Sequence, residues 1–116
     1  MKDLHNFQGQ YERIVQRIKE SEEIIPDDKK VMFRYRDYCL SHGIGIAKIT
    51  TYLSYIIKYA SMLGLPIQNA NKDDVMRVVA EMNQNGYSEE TKKSFKVMLR
   101  RLYRIVRGVD ENGKEN

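Results

Sequence analysis

Five successive stretches of this chain carry apolar side chains at the spacing of one helical face, and each is closed by Pro, Gly or Asn. A fold built on that pattern consists of short helices joined by tight connections. Residues 8–24 place Tyr11, Ile14, Val15 and Ile18 at i, i+3, i+4 and i+7, and Pro26 follows. A second helix is expected from an N-cap at Asp27 or Asp28 to about Ser41, with Val31, Met32, Tyr35, Tyr38 and Cys39 on one side. Phe33 and Leu40 widen its apolar arc, and Gly43 and Gly45 end it.

The third helix, over residues 47–63, buries Ile49, Leu53, Ile56, Ile57, Ala60 and Leu63, and Gly64 stops it. Residues 65–70 then read as a loop. Asn71 caps the fourth helix, which buries Val75, Val78, Val79 and Met82 and ends near Asn85 and Gly86. Ser88 caps the fifth, whose stripe of Phe95, Met98, Leu99, Leu102, Ile105 and Val106 runs to Gly108. Beyond it residues 109–116 are polar and without periodicity, as a tail or the start of a linker would be. With 116 residues there is room for one all-α domain.

Cysteine and histidine restrict the chemistry. Cys39 has no second Cys for a disulfide or a Cys-based zinc site, and it lies on an apolar arc as an inert core thiol. His5 and His42 stand in no metal-ligand spacing, and Gly43-Ile-Gly45 lacks both the strand and the further glycines of a phosphate-cradling loop. The expectation is a chain with no metal, no cofactor and no catalytic residue of its own. No stretch approaches a bilayer span, and the first residues lack the apolar run of a secretory signal, so a cytoplasmic protein is expected.

Charge is unevenly placed. The whole chain carries +4. Residues 89–107 hold seven cations (Lys92, Lys93, Lys96, Arg100, Arg101, Arg104 and Arg107) against Glu89 and Glu90, a net +5 that leaves −1 for everything else. On a helical wheel Lys93, Lys96, Arg100, Arg104 and Arg107 fall within an arc of roughly 80°, well away from the apolar stripe. Glu89 and Glu90 stand too far back to pair with the arginines at i, i+4. Such a ridge is either a solvated helix face, a phosphate-binding surface, or a dock for an acidic protein partner. A membrane-surface helix fits less well, because the apolar face is committed to the bundle. A second patch lies on the third helix, where Lys48, Tyr52, Tyr55 and Tyr59 share a flank with Thr51 and Lys58 beside them. These tyrosines are either boundary residues with buried rings or part of an exposed Lys/Thr/Tyr face suited to phosphates and base edges.

The order of these features is similar to a known family. Asp28-Lys-Lys with Phe33 and Tyr38 is followed by Ser41-His-Gly-Ile-Gly-Ile-Ala-Lys-Ile-Thr-Thr-Tyr-Leu, then by Ala70-Asn-Lys-Asp-Asp-Val, and then by the run from Tyr87-Ser-Glu-Glu-Thr to Arg107-Gly. Together the four pieces resemble the N-terminal core-binding domain of tyrosine recombinases (phage integrases) of the archaeal type, a four-helix module called SAM-like after the sterile alpha motif. The resemblance covers residues 26–108, leaving 1–25 as a helical N-terminal extension. It implies that the second and fourth helices of the module face the major groove of a recombination site. Lys48 and Tyr52 match the family's Thr- or Arg-then-Tyr pair, Thr91 its Ser or Thr at the start of the last helix, and Lys92, Lys93, Ser94, Arg100 and Arg101 its polar and basic positions. Joined to the residue-level reading, this gives a candidate DNA face of Lys48, Thr51, Tyr52, Tyr55, Thr91, Lys92, Lys93, Ser94, Lys96, Arg100, Arg101, Arg104 and Arg107. The implied partners are duplex DNA, a C-terminal catalytic domain in cis and other protomers of a recombinase complex. The alternative is a helical protein-interaction module whose basic ridge meets an acidic partner.

Overall fold

The computed structural model describes residues 6–108, and within them five α-helices and one 3₁₀ turn are the regular elements. They are α1 (Phe7–Glu20), α2 (Pro26–Ser41), α3 (Ile46–Leu63), the 3₁₀ turn Ile67–Asn69, α4 (Lys72–Gln84) and α5 (Glu89–Val106). His5 and the polar segment 109–116 lie outside the described residues.

Local chemistry sets most of the boundaries. The first helix stops at Glu20, short of the expected residue 24, because the Ser21 hydroxyl accepts from the backbone N–H groups of Glu23 at 3.2 Å and Ile24 at 3.3 Å. Those bonds offer the backbone a turn in place of further helix. In α2 neither Asp27 nor Asp28 is the cap. Ile25 holds that position, Pro26 occupies the first turn with its φ already helical, and the two acids follow it. Gly43, at φ 73, takes the left-handed turn that ends α2, while Gly45 opens α3 as its N-cap and is not part of the stop. The capping of α4 is reciprocal: Asn71 Oδ1 accepts from the Asp74 N–H at 2.9 Å, and Asp74 Oδ2 accepts from the Asn71 N–H at 2.9 Å.

The third helix is the axis of the molecule. It packs against α1, α2, α4 and α5, and it buries Ile49, Tyr52, Leu53, Ile56, Tyr59 and Leu63. A helix surrounded on that many sides needs an apolar arc wider than one stripe, so two of its tyrosines join the core. Ile14 and Ile18 of α1 are buried with them, so the N-terminal helix packs onto α3 and shares the core. Leu40 is the exception among expected core residues and lies exposed at the end of α2.

Two arginines close helix ends from neighbouring helices. Arg34 of α2 donates from Nη2 to the Ile105 carbonyl at 3.1 Å, and Arg77 of α4 donates from Nη2 to the Leu63 carbonyl at 2.9 Å. Each places a cation against terminal carbonyls that lack intrahelical partners, at the negative end of a helix dipole.

Candidate nucleic-acid interface

Helix α5 begins at Ser88, whose hydroxyl accepts from the Thr91 N–H at 3.1 Å and donates to Thr91 Oγ1 at 3.0 Å. Thr91 is thereby engaged in the cap. From that start the amphipathic pattern turns Phe95, Met98, Leu99, Leu102 and Ile105 into the core. Lys93, Lys96, Arg100, Arg104 and Arg107 are all exposed, and none of them forms an ion pair among the described residues. Lys92 differs, being half-buried and 3.4 Å from the Glu89 carboxylate. The exposed cationic ridge without ion pairs is therefore the five-residue arc, in which Arg107 also lies over the Tyr103 ring at 5.0 Å from its centroid.

The ridge stands between two recesses. On one flank, Ala47, Lys48, Thr51 and Tyr52 of α3 and Ser94 of α5 line a cleft of about 260 Å³. Packing of α3 on α5 thus brings Lys48 and Thr51 beside Ser94, the neighbour of Lys93 in sequence, while none of the five ridge cations lines the cleft itself. Lys48 and Thr51 are exposed at its edge, and the Thr51 hydroxyl donates back to the Ala47 carbonyl at 3.2 Å. Tyr52 does not present its ring to solvent as an exposed tyrosine face requires; the residue is 8% exposed, and its ring meets Tyr35 at 6.2 Å between centroids. Tyr55 is half-buried against Phe95 at 5.9 Å, and Tyr59 is wholly buried. Tyr52 and Tyr55 bury their rings at the edge of the core, whereas Tyr59 goes further than a boundary residue, its hydroxyl meeting that of Tyr103 inside the bundle, because α3 is covered on the side where they project.

Arg101 departs most from a simple ridge. Its guanidinium carbon lies 5.3 Å from the centroid of the Tyr52 ring, and Nη1 is buried without a hydrogen-bond partner. The Tyr35 hydroxyl is in the same condition. Burial works against the charge of Arg101, but the nearby hydroxyls of Tyr35 and then Tyr52 favour it and hold the pKa above the ordinary guanidinium value. The same burial raises the Tyr35 and Cys39 pKa values, so the phenol and thiol stay neutral beside a permanent cation. Arg101 is thus anchored in the bundle, with its stem and one face committed to packing.

On the other flank, α4 and α5 form a groove of about 380 Å³ with Lys72, Arg100 and Arg107 on its walls. The sequence gives a signal for it in Met76, an apolar residue that falls off the buried stripe of α4 and is 63% exposed. Lys58, beside the α3 patch in sequence, faces elsewhere and sits over the Tyr87 ring, bonded to its hydroxyl.

His42 stacks on Tyr38 with ring centroids 4.1 Å apart. No group of three or more His, Cys, Asp or Glu among the described residues is arranged to hold a metal ion. No helix among them is long and apolar enough to cross a membrane. Neither a protein-family model, nor a curated protein, nor a solved structure matches the chain.

Proposed function

We propose that the chain is the DNA-binding, core-binding domain of a site-specific tyrosine recombinase, with α2 to α5 as its SAM-like four-helix module and α1 as an addition to that core. It grips duplex DNA as the non-catalytic half of a clamp, and a catalytic domain in cis cleaves and rejoins the strands. The observation that carries this reading is the ridge of five exposed, unpaired cations on α5 beside the cleft that holds Lys48, Thr51 and Ser94. Cations without acids among them suit a phosphate backbone, where each neutralised phosphate releases counterions. The sequence resemblance supplies the rest, because it points to the same two helices.

A labelled duplex titrated with the chain at ~50 mM and ~200 mM salt tests the proposal. Binding on the order of 10⁻⁴–10⁻⁶ M at physiological salt is expected, with a log–log salt slope of about −4 to −5 if all five ridge cations meet phosphates. Absence of binding at the lower salt, or binding indifferent to salt, removes the DNA reading and leaves the protein-interaction module.

A further inference from the structure

We propose that the groove between α4 and α5 is a docking site for a short amphipathic helix of a partner protein with acidic residues on its flanks. The floor is apolar: Val75, Met76 and Val79 come from α4, and Leu99 from α5. Met76 is 63% exposed, which leaves an unbranched, adaptable side chain in water on the lining of the groove. The walls are cationic. Lys72, Arg100 and Arg107 line the groove, no acidic residue does, and none of the three has an ion-pair partner among the described residues.

The order of these groups selects the ligand. The short turn through Gly86 favours antiparallel neighbours, which puts Lys72, opening α4, and Arg107, the C-cap of α5, towards the same end of the groove that both line. Arg100 marks the other end, seven positions before Arg107 on the same helix, or about 10 Å at 1.5 Å per residue. Two turns of a docked helix have that length. Apolar side chains at i+3 and i+4 would meet the floor, and carboxylates at i and i+7 would meet cations at each end. A duplex supplies acid at the ridge but nothing for Val75, Met76 and Val79, so the floor fits a polypeptide.

This inference does not rest on the DNA reading, but the two share Arg100 and Arg107. Duplex and acidic helix should therefore compete.

The test is fluorescence anisotropy of the full chain with two labelled helical peptides of about four turns. Both carry Leu at i+3 and i+4, one with Glu at i and i+7 and the other with Lys at those two positions. The Glu peptide is expected to bind at least about tenfold more tightly than the Lys peptide. Met76→Gln in the floor and Lys72→Gln on the wall should each weaken the Glu peptide about fivefold or more. Both are exposed positions outside the α5 ridge, so thermal melting and duplex binding should be unchanged in either variant. Equal binding of the two peptides, or Glu-peptide binding indifferent to Met76→Gln, overturns the proposal. So does sedimentation showing that the chain pairs with itself and that Met76→Gln makes it monomeric, since the occupant is then a second copy. Peptide binding without duplex binding leaves this inference standing and the DNA reading fallen; the reverse result does the opposite.

Discussion

The carboxylate of Asp28 accepts a hydrogen bond at 3.0 Å from the backbone N–H of Ile67, 39 residues further along the chain. Asp28 is only 5% exposed, and it fastens the first turn of α2 to the 3₁₀ turn that links α3 to α4. Burial raises its pKa, the Ile67 N–H opposes that rise, and the neighbouring Asp27 adds to it, for a net upward shift. A folded-state pKa above the unfolded value means that the folded chain favours the protonated acid. Its contribution is full below the ordinary carboxylate range and is lost as pH rises through the folded value. Asp28→Asn keeps an acceptor for Ile67 without a charge and should remove that component of the pH dependence. Asp28→Ala strands the N–H and should cost ~1–3 kcal/mol. Urea unfolding from acid to neutral pH checks both; an Asn variant that keeps the full wild-type pH profile would assign the titration elsewhere.

The same 3₁₀ turn is held from the opposite side. Tyr103 donates its hydroxyl proton to the Ile67 carbonyl at 3.2 Å, so in the Tyr59–Tyr103 hydroxyl pair the donor must be Tyr59. Burial raises both pKa values and keeps both phenols neutral. Tyr103→Phe leaves the Tyr59 O–H without an acceptor in the core and should cost ~1–3 kcal/mol, whereas Tyr59→Phe leaves Tyr103 on Ile67 and should cost ~0.5–1.5 kcal/mol. The double Phe variant should lose less than the sum, because the stranded donor is gone. Strict additivity in denaturant titrations would show that the two hydroxyls act independently.

These tyrosines also show where the sequence stops being informative. Helical spacing and caps are local, so five helices, the Asn71 and Ser88 caps and the Gly64 stop can all be read from neighbours in the chain. Whether Tyr52 and Tyr59 face water depends on how many helices surround α3, which is a tertiary fact. Asp28 reads as a cap because acids favour helix starts, yet the cap is Ile25, three residues earlier, with Pro26 opening the helix and the Asp28 carboxylate left to a long-range partner. On α5 the charged arc was legible, since it follows from a single wheel. The anchoring of Arg101 was not, because Tyr52 and Tyr35 come from two other helices.

Arg77 makes a further long-range cap. Its two terminal nitrogens donate to the Leu63 carbonyl at 2.9 Å and the Met62 carbonyl at 3.4 Å, at the end of the central helix. Arg77→Ala should cost about 1 kcal/mol, since the site is partly solvated, and lower the melting temperature by about 4–8 °C. Arg77→Lys keeps the charge but not the fork, and should recover only part of the loss. Duplex binding should not change, because this cation is on α4 and turned to carbonyls. A loss of duplex affinity in Arg77→Ala without loss of stability would place Arg77 on the DNA face.

Arg101 and Arg104 have the same chemistry on the same helix, but their surroundings differ. Arg104 is exposed on the ridge, while Arg101 stacks on Tyr52 with Nη1 buried. Arg104→Ala should leave stability within ~0.5 kcal/mol and reduce the salt slope of duplex binding by about one. Arg101→Ala removes a packed stem and a cation–π contact and should destabilise by ~1 kcal/mol or more. Arg101→Lys keeps the charge without the stacking and should recover little of that stability, while the salt slope of duplex binding should stay at the wild-type value in both Arg101 variants. Thermal melts and duplex titrations on the three variants decide it. If Arg101→Ala melts like the wild type while losing salt slope as Arg104→Ala does, Arg101 is an ordinary phosphate contact and its packing against Tyr52 contributes nothing to the fold.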